Sequence, residues 1–232
     1  MRIIYSTGLA LLAFAGLSLP AQAQLAQIHS AGGLSAGDST LSYSGMNGDL
    51  VSSPFVQAGS GNTLTFTASG VGTTLTRIDS DGSNFDFAAG TTLLETTAGG
   101  FAPDGPLVIE FAKGVTEFGL SAQNYAPDTE AFSFIAYDGN KLLGGFSTDL
   151  TDNHSDAGAA LFLGGAVTGG NVITRVSISS VSSQHGASND FLAGPVTYAA
   201  VPEASTAASV GLGTLLLLGC FVSARKRTAQ PN

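Results

Sequence analysis

Leu107-Val108-Ile109-Glu110-Phe111, then Ala112-Lys113-Gly114-Val115-Thr116-Glu117, then Phe118-Gly119-Leu120-Ser121-Ala122: this stretch decides the fold. Leu107, Ile109 and Phe111 share one face of an extended chain, with Val108 and Glu110 on the other. That period of two belongs to a half-buried strand. Lys113-Gly114 has turn composition, and beyond it Phe118, Leu120 and Ala122 line up again, so two strands joined by a turn are expected. Toward the C-terminus, Phe132, Phe134 and Ala136 repeat the alternation. Asp138-Gly139 then makes a hairpin turn into Lys141-Leu142-Leu143. Ala159 to Leu163, Val172 to Ile178 and Phe191 to Tyr198 complete the series. Toward the N-terminus, Leu64-Thr65-Phe66-Thr67 alternates apolar and hydroxyl residues, and another strand falls near Thr76-Arg77-Ile78. Residues 24–62, rich in Gly, Ser and Ala, hold mostly loop with a short strand or two. Strands recurring about every ten residues with turn signals between them read as an all-β fold, an antiparallel β-sandwich or jelly roll over residues 24–200.

Composition supports that reading. The chain has 31 glycines, no tryptophan and few charges, which suits tight turns and short strands and leaves no room for long helices in this domain. Of the 17 acidic residues only Glu203 lies outside 24–200. Of the eight basic ones only Arg77, Lys113, Lys141 and Arg175 lie inside it. The domain therefore carries 16 acidic against 4 basic side chains, net −12, against −9 for the whole chain. Such a surface repels nucleic acid and anionic headgroups, and neither is an expected partner. The one cysteine, Cys220, lies outside the domain, which excludes an internal disulfide, a thiolate metal site and a thiol nucleophile there.

Both ends carry addresses. Met1-Arg2 gives a positive start, Ile3 to Leu19 an apolar run, and Ala21-Gln22-Ala23 a small-x-small cleavage site. Residues 1–23 therefore read as a secretory signal peptide, handled by the Sec translocon and signal peptidase. At the other end stands Val201-Pro202-Glu203, then an uncharged run over 204–224, then Arg225-Lys226-Arg227. A helix over that run is about 30 Å long, enough to cross a bilayer core. The basic triplet would stay cytoplasmic and act as the stop, leaving everything before Val201 outside.

The order and position of those three parts resemble the PEP-CTERM sorting signal of Gram-negative and related bacteria, over residues 201–227. Ala204 stands where that signal usually has its second proline. The resemblance implies an exosortase-type membrane enzyme that reads the tail and removes it. It also implies transit through the inner membrane on its periplasmic side, then delivery to the cell surface or extracellular polysaccharide matrix. A tail that Ala204 hides from the enzyme would leave the chain anchored in the inner membrane. Residues 107–198 are also similar in outline to the exported β-sandwich domains found ahead of such tails. The likeness is carried by Val115-Thr116-Glu117-Phe118-Gly119, Tyr137-Asp138-Gly139, Val176-Ser177-Ile178 and Asp190-Phe191-Leu192.

Candidate chemistry is sparse. Asp79, Asp81 and Asp86 alternate around Gly82 and could converge oxygen ligands on calcium, although the spacing is not that of the twelve-residue calcium loop; Asp and Asn also favour turns for local reasons. Asp149, Asp152, Asn153, His154 and Asp156 form a second polar loop. Gly33-Leu34-Ser35-Ala36-Gly37 matches the nucleophile-elbow pattern without the strand and helix that chemistry needs. His29, His154 and His185 show no two-ligand spacing. Tyr125, Tyr137 and Tyr198 offer flat faces on which sugars can stack. No catalytic residue is assigned, and the expected function is a non-enzymatic structural or adhesive protein that binds exopolysaccharide, with calcium as its only candidate cofactor. The alternative is a secreted polysaccharide- or ester-cleaving hydrolase, which would need paired carboxylates in a cleft or a triad.

Overall fold

The stretch read as two strands is one. β8 runs unbroken over Leu107–Asn124, and Lys113-Gly114 bulges out of it without reversing the chain. Five residue steps of β8, from Glu110 to Val115, face only two of its neighbour, from Arg175 to Ile173. The side chain of Asn62 holds this bulge: its Nδ2 donates to Lys113 O at 2.6 Å, and its Oδ1 accepts from Lys113 N at 2.9 Å. With both backbone groups of Lys113 satisfied, the chain can bend without a turn.

The structure is a computed structural model that describes residues 25–35, 38–43, 50–51, 53–68, 74–82, 86–97, 105–124, 129–149, 151–152, 160–182 and 189–201. Before β8 come β1 (Leu25–Ile28), β2 (Ser39–Leu41), β3 (Leu50–Val51), β4 (Phe55–Gly59), β5 (Asn62–Ala68), β6 (Thr74–Asp79) and β7 (Thr92–Thr97). After it come β9 (Thr129–Asp138), β10 (Lys141–Ser147), β11 (Thr151–Asp152), β12 (Leu161–Val167), β13 (Ile173–Ser182), β14 (Phe191–Ala193) and β15 (Val196–Ala200). The expected strand from Phe191 to Tyr198 is thus two, divided at Gly194-Pro195, where Gly194 N–H donates to Ser121 O. The 138–141 hairpin stands as expected: Asp138 pairs with Lys141, and Gly139 takes the positive φ (56°) that a two-residue loop requires.

Among the described residues every pairing is antiparallel, and one hydrogen-bonded network of 15 strands divides at β8 into two sheets. The first half of β8 lies between β5 and β13 in a sheet of order β4-β5-β8-β13-β9-β10. Its second half pairs with β12, β15 and β14. There β1 flanks β12, β2 flanks β15, and β7, β6 and β3 continue from β14. The inward parity changes accordingly: Leu107, Ile109, Phe111 and Val115 are buried in the first half, Phe118, Leu120 and Ala122 in the second. The extra residue is Thr116, skipped where Glu117 pairs with Ala199 and Val115 with Ala200. A strand that changes sheets through a bulge makes a sandwich corner.

The two sheets meet through aromatic rings. Phe118 stacks on Phe134 of β9 with centroids 5.6 Å apart, and Phe111 meets Phe118 and Tyr198 edge-on at 5.8 and 6.0 Å. A smaller core of Phe87, Leu93 and Leu192 sits apart from this one. Among the described residues no helix is long and apolar enough to cross a membrane. The signal peptide with Ala21 and Ala23, and the tail from Pro202 and Glu203 through Arg225, Lys226 and Arg227, lie outside the described residues. Val201 is exposed at the end of β15.

Candidate functional site

The first sheet turns its even-numbered β8 residues to solvent, and register brings one residue from each of six strands into a row. Val56 pairs with Thr65, Thr65 with Glu110, Glu110 with Arg175, Arg175 with Tyr137, and Tyr137 with Leu142. Aliphatic side chains end the row, Val56 at 57% and Leu142 at 60% exposure. Between them lie a hydroxyl, a carboxylate, a guanidinium and a phenol. Beside the row, Thr67, Ser177, Ser133 and Ser147 add hydroxyls, and Ser133 and Ser147 bond to each other at 3.0 Å.

Arg175 has two opposite neighbours, Glu110 on β8 and Tyr137 on β9. Its guanidinium lies over the Tyr137 ring, 4.2 Å from the centroid. That contact is worth about 0.5–1 kcal/mol at a partly exposed site. A shallow depression of about 390 Å³ opens at this point, bounded by Thr65, Glu110, Ala112, Asn140, Thr174 and Arg175. The β8 bulge and the 138–141 hairpin form its rim. Thr174 locks the hairpin, accepting from Gly139 N at 2.7 Å and donating to Tyr137 O at 3.2 Å.

The acidic turn is not gathered on one point. Asp79 is exposed and accepts both 3.0 and 3.1 Å bonds from Arg77 Nη2. Asp81 is exposed, whereas Asp86 is buried, its N–H donating to Gln123 Oε1 at 2.7 Å. The loop itself is closed by Ser80, whose hydroxyl donates to Phe87 O. Among the described residues no group of three His, Cys, Asp or Glu side chains is placed to hold a metal. In the second polar loop, Asn153, His154 and Asp156 lie outside the described residues, as do His185 and Tyr125.

Ser35 follows a 3₁₀ turn (Ala31–Gly33), not a strand. Its hydroxyl donates to Glu117 Oε1 at 2.6 Å, and its N–H to Oε2 at 2.8 Å. Asp38 lies close enough for Glu117 to affect it: burial first, then the Glu117 charge, hold the Asp38 pKa above its ordinary value. A carboxylate pair therefore exists, but both members gather around one serine and neither lines the depression. Of the tyrosines, Tyr137 reaches the outer face. Tyr198 is fully buried, its OH donating to Ser60 O at 3.2 Å.

Fold and surface together define an antiparallel β-sandwich with one sheet face open to solvent. No protein-family model and no curated protein matches the chain. Among solved structures, a likeness is found to the carbohydrate-binding-module and GH10 modules of Clostridium thermocellum endo-1,4-beta-D-xylanase 10B, complexed with xylohexaose. It has 20% identity and a TM-score of 0.37 over 59% of this chain, which spans 26% of that protein's length. A TM-score that low carries no argument, and the sandwich stands on its own strand pairing.

Proposed function

We propose that this chain is an exported protein, carried out by a Sec-type signal peptide and sorted by its PEP-CTERM-like tail through an exosortase at the inner membrane. At the cell surface or in the extracellular matrix, its jelly-roll-like sandwich is a non-enzymatic adhesive module that binds polysaccharide. One observation carries the binding reading: the six-residue row from Val56 to Leu142 on the open sheet face. Polysaccharide recognition needs apolar surface for ring faces and polar groups for hydroxyls, spread along an extended surface. The row supplies both, with the Tyr137–Arg175 stack at its centre.

The test is retention of the full chain, purified in detergent, on its source organism's exopolysaccharide, with calcium and with chelator. Retention is expected; loss with chelator would assign calcium a supporting role. No retention in either condition would overturn the binding reading.

A further inference from the structure

We propose that the depression beside Arg175 is a subsite for a carboxylated sugar, the uronate unit of an acidic polysaccharide. This deepens the polysaccharide-binding reading and rests on it.

Glu110 stands directly opposite Arg175, yet the guanidinium lies over Tyr137. Among the described residues no ion pair or hydrogen bond occupies its N–H groups. A planar fork of five donors, held over a ring and not consumed by a protein carboxylate, suits a carboxylate from outside. Two parallel charge-assisted bonds can form without reorganising the side chain.

In a domain of net −12, the depression is lined by one of only four basic residues. That residue is Arg175; Lys113 sits in the bulge held by Asn62, and Lys141 donates to Asn171 Oδ1 at 3.0 Å. The fourth, Arg77, is held by Asp79. Glu110 is the one carboxylate lining the depression, so its lining is neutral as a whole and an anion meets less repulsion here than the domain's overall charge would impose. The Thr65 hydroxyl and the Asn140 amide suit sugar hydroxyls, and about 390 Å³ falls within the ~300–1,000 Å³ range of ligand sites. Glu110 can accept from sugar hydroxyls, but its charge opposes the uronate.

The test compares binding of the full chain, in detergent, to polygalacturonate, alginate, methyl-esterified polygalacturonate and neutral dextran. The expected result is binding to the acidic polymers, at least about tenfold weaker for the ester and weakened by salt. Arg175→Gln should lose about tenfold on the acidic polymers, Arg175→Lys should fall between, and Glu110→Gln should tighten binding. Arg77→Gln, which removes the same charge elsewhere, should change little. Unfolding curves of each variant separate lost binding from lost structure. Equal binding of acid and ester, unchanged by Arg175→Gln, would overturn the uronate subsite and leave the polysaccharide reading standing. Absence of binding to all four polymers and to the source exopolysaccharide would overturn both.

Discussion

The two faces of the β4-β5-β8-β13-β9-β10 sheet are built from the same strands and obey different rules. Inside, Phe66, Ile109, Val176 and Ala136 stand opposite one another across four strands, all fully buried. One residue over, Thr65, Glu110, Arg175 and Tyr137 stand opposite one another facing solvent. The inner row needs only apolar volume, so other apolar side chains could serve there with repacking. The outer row has no packing role that would select a guanidinium beside a phenol. Stability should therefore depend on the first face and ligand binding on the second.

The strongest way to break that division is to empty the core. Phe118 touches Phe111 and Phe134 and joins the two sheets, so Phe118→Ala should cost about 3–5 kcal/mol in urea unfolding. A smaller loss should follow from Tyr43→Phe. The Tyr43 hydroxyl is buried, donates to Gly194 O at 3.0 Å, and has its pKa driven up by burial. Leaving that carbonyl without its donor should cost about 1–3 kcal/mol.

The outer face should respond less. Arg175→Gln removes one cation–π contact and should shift stability by no more than about 1 kcal/mol. The Asp38–Glu117 pair gives the smallest effect and a sign of its own. Because the folded-state pKa of Asp38 is raised, its unfavourable charge is felt above that pKa and relieved as pH falls through it toward the unfolded value. Asp38→Asn should therefore stabilise slightly at pH 7, by well under about 1 kcal/mol given its partial exposure, and the gain should vanish in acid. Paired unfolding curves at the two pH values check the sign.

What the sequence made legible follows the same division. Alternation at 107–111, 118–122 and 132–136 identified the inward residues without any partner strand, because burial is a property of one strand's own period. The bulge at Lys113-Gly114 was not legible: the amide that holds it belongs to Asn62, 51 positions away. β7 escaped for another reason. Leu94 faces the main core and Leu93 the smaller one, so burial on both sides erased the alternation. The outer row was hidden most completely. Glu110 could be placed on the outward face, but positions 56, 65, 110, 175, 137 and 142 become neighbours only once register is set by long-range pairing. The calcium expectation on Asp79, Asp81 and Asp86 rested on spacing alone. Burial, which separates exposed Asp79 and Asp81 from buried Asp86, is invisible at that level.

The open face is proposed to bind polysaccharide while the inner face supports the fold. The most direct measurement is retention of the Tyr137→Ala, Arg175→Gln double variant on the source exopolysaccharide, with its urea unfolding curve recorded alongside. The expected result is an unfolding midpoint close to that of the natural chain and retention reduced at least about tenfold. A variant that unfolds at the natural midpoint and is retained as strongly as the natural chain would contradict it.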